Sequence, residues 1–68
     1  MVEYWYASNK LWVDDAPGIF VPPRGTWLMH DSKSYTVDGA MVSFVKGKKG
    51  SGRLIRVMVR NGHVILRD

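Results

Sequence analysis

Short runs of β-branched and aromatic residues, each broken by Gly, Pro, Asn or Asp, recur from one end of the chain to the other. No segment repeats apolar residues at i, i+3, i+4 and i+7 over three turns, so helices of ordinary length have no room. The pattern predicts an all-β chain, a small barrel or sandwich of five to seven short antiparallel strands. From size and strand count the expected form is a Src-homology-3-like or oligonucleotide-binding-type barrel, since closure would hide strand edges that otherwise pair with other chains.

Two hairpins carry the strongest turn signals. Leu54 to Arg60 and His63 to Arg67 flank Asn61-Gly62, a dipeptide suited to the two positive-φ positions of a type I′ turn. That turn would set Val59 opposite Val64, Met58 opposite Ile65, and Arg56 opposite Arg67. Alternation then divides the hairpin into a core face of Ile55, Val57, Val59, Val64 and Leu66 and a basic face of Arg56, Met58, Arg60, His63, Ile65 and Arg67. Ser34 to Val37 and Ala40 to Val45 flank Asp38-Gly39 in the same way, predicting Val37 opposite Ala40, Tyr35 opposite Val42 and Lys33 opposite Phe44. There the expected buried set is Tyr35, Val37, Ala40, Val42 and Phe44. Lys46 to Gly52, rich in glycine and lysine, is expected to be a mobile loop between the hairpins.

The N-terminal half has weaker punctuation. Val2 to Ala7 and Leu11 to Val13 are expected strands joined at Ser8-Asn9-Lys10, and Asp14 to Gly18 breaks the run. Ile19 to Val21 is read as a short edge strand, Pro22 to Gly25 as a turn, and Thr26 to Met29 as a strand ending at His30-Asp31-Ser32.

At 68 residues the chain is one domain, residues 1–68, and with 46% hydrophobic and 24% charged residues it has the composition of a folded protein. It has no cysteine, which excludes a disulfide scaffold and thiolate zinc sites. A core this small favours help from an oligomer or a docking partner. No uninterrupted apolar run exceeds four residues, against about 20 for a membrane helix, and residues 1–6 show no leader pattern. No membrane association and a cytoplasmic location are the expectations.

Charge changes the picture. Residues 1–31 carry two cations against four acids, a net −2, whereas residues 32–68 carry eight cations against two acids, a net +6. The predicted pairing of Arg56 with Arg67 sets like charges face to face, a costly arrangement that suits an anionic ligand. Arg53, Arg56, Arg60 and Arg67, with Lys46, Lys48 and Lys49, form the candidate surface for DNA, RNA or another polyanion, bound largely through charge. The competing reading is a protein-interaction or assembly subunit, a homo-oligomer or an inhibitor-type binder, using Tyr4, Trp5, Tyr6, Met58 and Ile65 and the strand edges.

Catalysis is not expected. His30, Asp31, Ser32 and Ser34 include the residue types of an acyl-transfer triad, but neighbours on a strand point to opposite faces. Asp14-Asp15 suits turn capping better than a metal, and Gly47 to Gly52 lacks the order and following helix of a phosphate-binding loop. No cofactor is expected.

Overall fold

The computed structural model describes residues 1–18, 20–47 and 50–65. Five strands are present among them, β1 (Val2–Tyr6), β2 (Asn9–Asp14), β3 (Trp27–His30), β4 (Lys33–Gly47) and β5 (Gly50–Asn61). They form one sheet in the order β2-β1-β5-β4-β3, curled into a half-barrel. The all-β expectation holds, with one difference in strand sense: β1 lies parallel to β5, and the other pairs are antiparallel. Among the described residues no helix is long and apolar enough to cross a membrane.

The concave face follows from alternation. Val2 and Tyr4 of β1 pair with Ile55 and Val57 of β5, and Val59 pairs with Val37 of β4, so these side chains line one face with Tyr35 and form the buried core. Leu11, Trp12 and Leu28 pack against it from the two edge strands. Trp12 does more than fill space. Its ring is stacked between Tyr4 (centroids 4.5 Å apart, planes 11°) and His30 (4.2 Å, 10°), with Tyr35 tilted against it at 5.3 Å. Trp12 belongs to β2 and His30 to β3, so this stack joins the two edges of the sheet and holds the curl.

Both predicted hairpins are corrected. Asp38-Gly39 is not a turn: β4 runs straight through it, with Val37 opposite Val59 and Gly39 opposite Met58, so Asp38 is the extra residue of a β-bulge. Tyr35 therefore faces Asn61, Ala40 faces Val57, Val42 faces Ile55 and Phe44 faces Arg53, in place of pairing within residues 33–45. The bulge and a two-residue turn both leave Val37 and Ala40 on the same face, which is why the face assignment of Ala40, Val42 and Phe44 survives while their partners change. All three are nevertheless exposed, Val42 to 46% and Phe44 to 79%. Burial ends with the flanking strands: β1 pairs with β5 only over Ile55–Met58, and β3 pairs with β4 only over Lys33–Thr36.

Asn61-Gly62 is not a hairpin turn either. Asn61 ends β5 opposite Tyr35, Gly62 leaves the strand with φ +77°, and residues 63–65 form no strand. The Gly62 amide donates to the Ser34 carbonyl at 2.8 Å. The Thr36 hydroxyl donates to the Gly62 carbonyl at 2.7 Å and accepts from the Val64 amide at 2.8 Å. The segment is thus clamped over Thr36, which lies on the convex face and is fully buried beneath it. Leu66 and Arg67, the remaining members of the predicted second strand, lie outside the described residues. The expected loop at Lys46 to Gly52 is also corrected, since Lys46 pairs with Ser51 and Gly47 with Gly50. Only Lys48 and Lys49 stand between the strands, and they lie outside the described residues.

The true turns are poorly advertised. β1 and β2 are joined by Ala7-Ser8, and β3 and β4 by Asp31-Ser32. Ala7 takes φ +52°, and Asp31 and Ser32 take +50° and +63°, backbone conformations that residues bearing a Cβ adopt at a cost. Of the expected edge strand Ile19 to Val21, Phe20 and Val21 are irregular, and Ile19 is not described. Pro22, which has no amide to give a ladder, is instead buried. The chain rejoins the sheet when Gly25 donates to the Val37 carbonyl and Val37 donates to the Thr26 carbonyl, at 2.8 and 2.9 Å.

Two outcomes follow. Ser32→Gly relieves a left-handed position and is expected to raise unfolding stability by about 1 kcal/mol, seen as a higher Tm. Trp12→Ala removes both stacks at an expected cost of about 3 to 5 kcal/mol. That approaches the total stability of so small a domain, so cooperative urea unfolding, followed by Trp5 and Trp27 fluorescence, should be lost or sharply weakened.

Candidate nucleic-acid interface

The cations that sequence grouped together are separated by the fold into two environments. Arg56, on the convex face of β5, pairs with Glu3 of β1 on one side and Met41 of β4 on the other. Its predicted neighbour Arg67 lies outside the described residues, and the hairpin that would have set the two face to face does not form. Arg56 Nε instead donates to Glu3 Oε1 at 3.3 Å, and its guanidinium lies 4.9 Å from the centre of the Trp5 ring. Glu3 is only 8% exposed although it faces outward. Trp5 Nε1 donates to the same Oε1 at 3.0 Å, and Lys10 Nζ stands 3.7 Å from Oε2. The indole hydrogen bond and the two cations hold the Glu3 carboxyl below its ordinary value of 4.5, against the opposing push of burial. Nothing in the sequence pattern pairs residue 3 with residue 56; a parallel contact between the first and last strands brings them together.

Arg60 is also matched by an acid. Its Nε lies 3.3 Å from Asp38 Oδ2, and Asp38 is the bulge residue itself. The convex face read as basic is therefore largely compensated at Arg56 and Arg60.

Lys46 and Arg53 stand apart from it. Residues 43–47 of β4 and 50–54 of β5 pair only with each other, making a two-stranded arm that leaves the half-barrel. The radius of gyration, 12.9 Å, and the long extent of 41 Å reflect the projection, since a compact chain of this length has a radius near 11 Å. Arg53 and Lys46 are exposed on this arm and form no ion pair among the described residues. Lys48 and Lys49, at the connection, lie outside the described residues, but their charge belongs to the arm by sequence.

The candidate interface residues of the first strand are similarly divided. Tyr4 is core, and burial together with the charge of Asp14 raises its hydroxyl above the ordinary 10.0. Trp5 is half-buried beside Arg56, Tyr6 is exposed, Met58 is half-buried and Ile65 is exposed. β1 lies between β2 and β5 and so has no free edge. Two aromatic features escaped the sequence reading: the stack of Trp27 on His63, centroids 4.4 Å apart with planes at 8°, and the bare ring of Phe44. Alternation assigned Phe44 to the apolar face correctly but has no means of registering that the covering strands stop short of it.

Other candidate chemistry is used locally. His30 Nε2 is 3.6 Å from the exposed Asp31 carboxylate, while its ring lies against Trp12. Asp14 Oδ1 accepts the Ala16 amide at 3.0 Å, a turn cap. Among the described residues no three His, Cys, Asp or Glu side chains cluster as a metal site would require. No family model, no curated protein and no solved structure matches this chain. The geometry alone bears on function.

A lowered folded pKa means that the stabilisation from Glu3 is complete above about 4.5 and is lost as pH falls through the depressed folded value. Glu3→Gln should therefore unfold more easily than the parent at pH 7, and the gap should narrow at acid pH where the parent carboxyl is protonated. Paired denaturation curves across that range check this.

Proposed function

We propose that the protein is a small binding module that holds nucleic acid through the β4–β5 arm, by charge and without strong base specificity. The observation that carries this reading is a projecting ribbon whose cations, Arg53 and Lys46, form no ion pair among the described residues, while Arg56 and Arg60 on the body of the sheet are each matched by an acid. From Gly39 to Arg67 the sequence contains no carboxylate, so no acid of the arm itself offsets the field of Lys46, Lys48, Lys49 and Arg53. A two-stranded ribbon is a known way to present side chains to a nucleic-acid groove or strand.

This reading moves the binding surface away from Arg56 and Arg60. Both sit in ion pairs that a phosphate would have to displace, and drawing Arg56 away would cost the shielded Glu3 carboxylate one of its partners. The body of the half-barrel then serves as the rigid base from which the arm extends.

Neutralising four cations' worth of phosphate contacts implies a log–log salt slope of about −3 on a single strand and about −3.6 on a duplex. The double variant Lys46→Ser/Arg53→Ser, at exposed positions, should leave folding unchanged, weaken binding to DNA and RNA by about tenfold or more and flatten the salt slope by about one to two units. Arg60→Ser should change affinity little. Fluorescence anisotropy over a salt series reads each value, and unaltered affinity in the double variant would remove the arm as the site.

A further inference from the structure

We propose that the arm's ligand is single-stranded nucleic acid, with one base stacked on the ring of Phe44 and the adjoining backbone held by Arg53 and Lys46. The proposal rests on the polyanion reading above and adds the class of strand that the arm takes. Phe44 is the most exposed large apolar residue among those described, at 79%. It ends the row that begins with Val59 opposite Val37 and continues through Val57–Ala40 and Ile55–Val42, and its own partner is Arg53. The last position of an otherwise apolar row thus sets an uncovered ring directly across from a guanidinium.

Spacing makes the pair usable. Residues directly opposite in a ladder have Cβ atoms about 5 Å apart, and residues two apart on one strand follow at about 7 Å. Arg53 lies across from the ring and Lys46 two positions along the same strand, so both cations share its face. A base on Phe44 would place its flanking phosphates within reach of both. Bases inside a duplex already cover one another's faces, so a free aromatic ring favours unpaired ones.

Charge argues against a second copy of this chain as the occupant. Two arms meeting through Phe44 would bring together Lys46, Lys48, Lys49 and Arg53 from each side with no acid between Gly39 and Arg67 to relieve them. Self-association is accordingly an outcome of the test and not its premise.

The test measures anisotropy of a labelled oligothymidylate and of a duplex of equal length, with the parent protein, Phe44→Ala, Phe44→Tyr and Lys46→Ser/Arg53→Ser. Since Phe44 is exposed, its variants should keep the parental circular dichroism and Tm. The expected result is a parent preference for the single strand, a loss of about tenfold for the single strand in Phe44→Ala, no change for the duplex or in salt slope, and retention in Phe44→Tyr. Equal single-strand affinity in Phe44→Ala overturns this proposal and leaves the polyanion reading standing. Unchanged binding in the double cation variant overturns that reading instead. Polyglutamate held as tightly as oligothymidylate, or a doubling of mass by light scattering that Phe44→Ala abolishes, assigns the ring to a protein partner and also overturns the proposal.

Discussion

The indole of Trp12, held between the rings of Tyr4 and His30, is the constraint on which the half-barrel depends. Its two partners come from β1 beside it and from β3 at the far edge of the sheet. A five-stranded sheet twists by itself, but twist does not bring its edges into contact. The stack does, and by doing so it brings Leu11 and Leu28 from the two edges over the same core of Val2, Ile55, Val57, Val59, Val37 and Tyr35. With no disulfide and few large buried side chains, a core of small β-branched residues relies on that aromatic cover to exclude water.

The convex face is organised by polar contacts. Thr36, buried there, uses its single hydroxyl both to donate to Gly62 and to accept from Val64, tying the chain after β5 across β4, and the Trp27–His63 stack extends the same anchorage to β3. Near the other edge Glu3 draws Trp5, Lys10 and Arg56 together. These groups join strands that are distant in sequence. They also draw the charge of Arg56 and Arg60 into ion pairs, whereas Lys46 and Arg53 on the arm form none among the described residues. Fold and candidate site are therefore linked: the ion pairs that settle the body are what make the arm distinct.

Glycine-containing turn signals were the least dependable guide to topology. Asn61-Gly62 and Asp38-Gly39 have the local chemistry of hairpin turns, yet one ends a strand and the other is a bulge, because β4 and β5 pair with each other in one long ribbon from Tyr35–Asn61 to Gly47–Gly50 instead. Once that ribbon pairs over its full length, Asp38 can only be accommodated as an extra residue, and its carboxylate turns to Arg60. Conversely, Ala7, Asp31 and Ser32 occupy left-handed conformations that their side chains disfavour, since the pairing of the strands on either side leaves just two residues to reverse direction. Local preference yielded to ladders of several hydrogen bonds in each case. The arm was half visible: its cations and its lack of acids could be read along the chain, but its projection could not, being a difference in length between strands that pair and strands that cover.

By itself the sequence determined an all-β domain, the inward faces of β5 and of the first part of β4, and a second half with a net charge of +6. Those properties follow from composition and from a period of two, which each strand carries in its own residues. Tertiary structure alone decided that β1 runs parallel to β5, that Glu3 meets Arg56, that Trp12 meets His30, and that Phe44 stays exposed. Each depends on which strands are neighbours and where they end, and a local pattern contains no record of either.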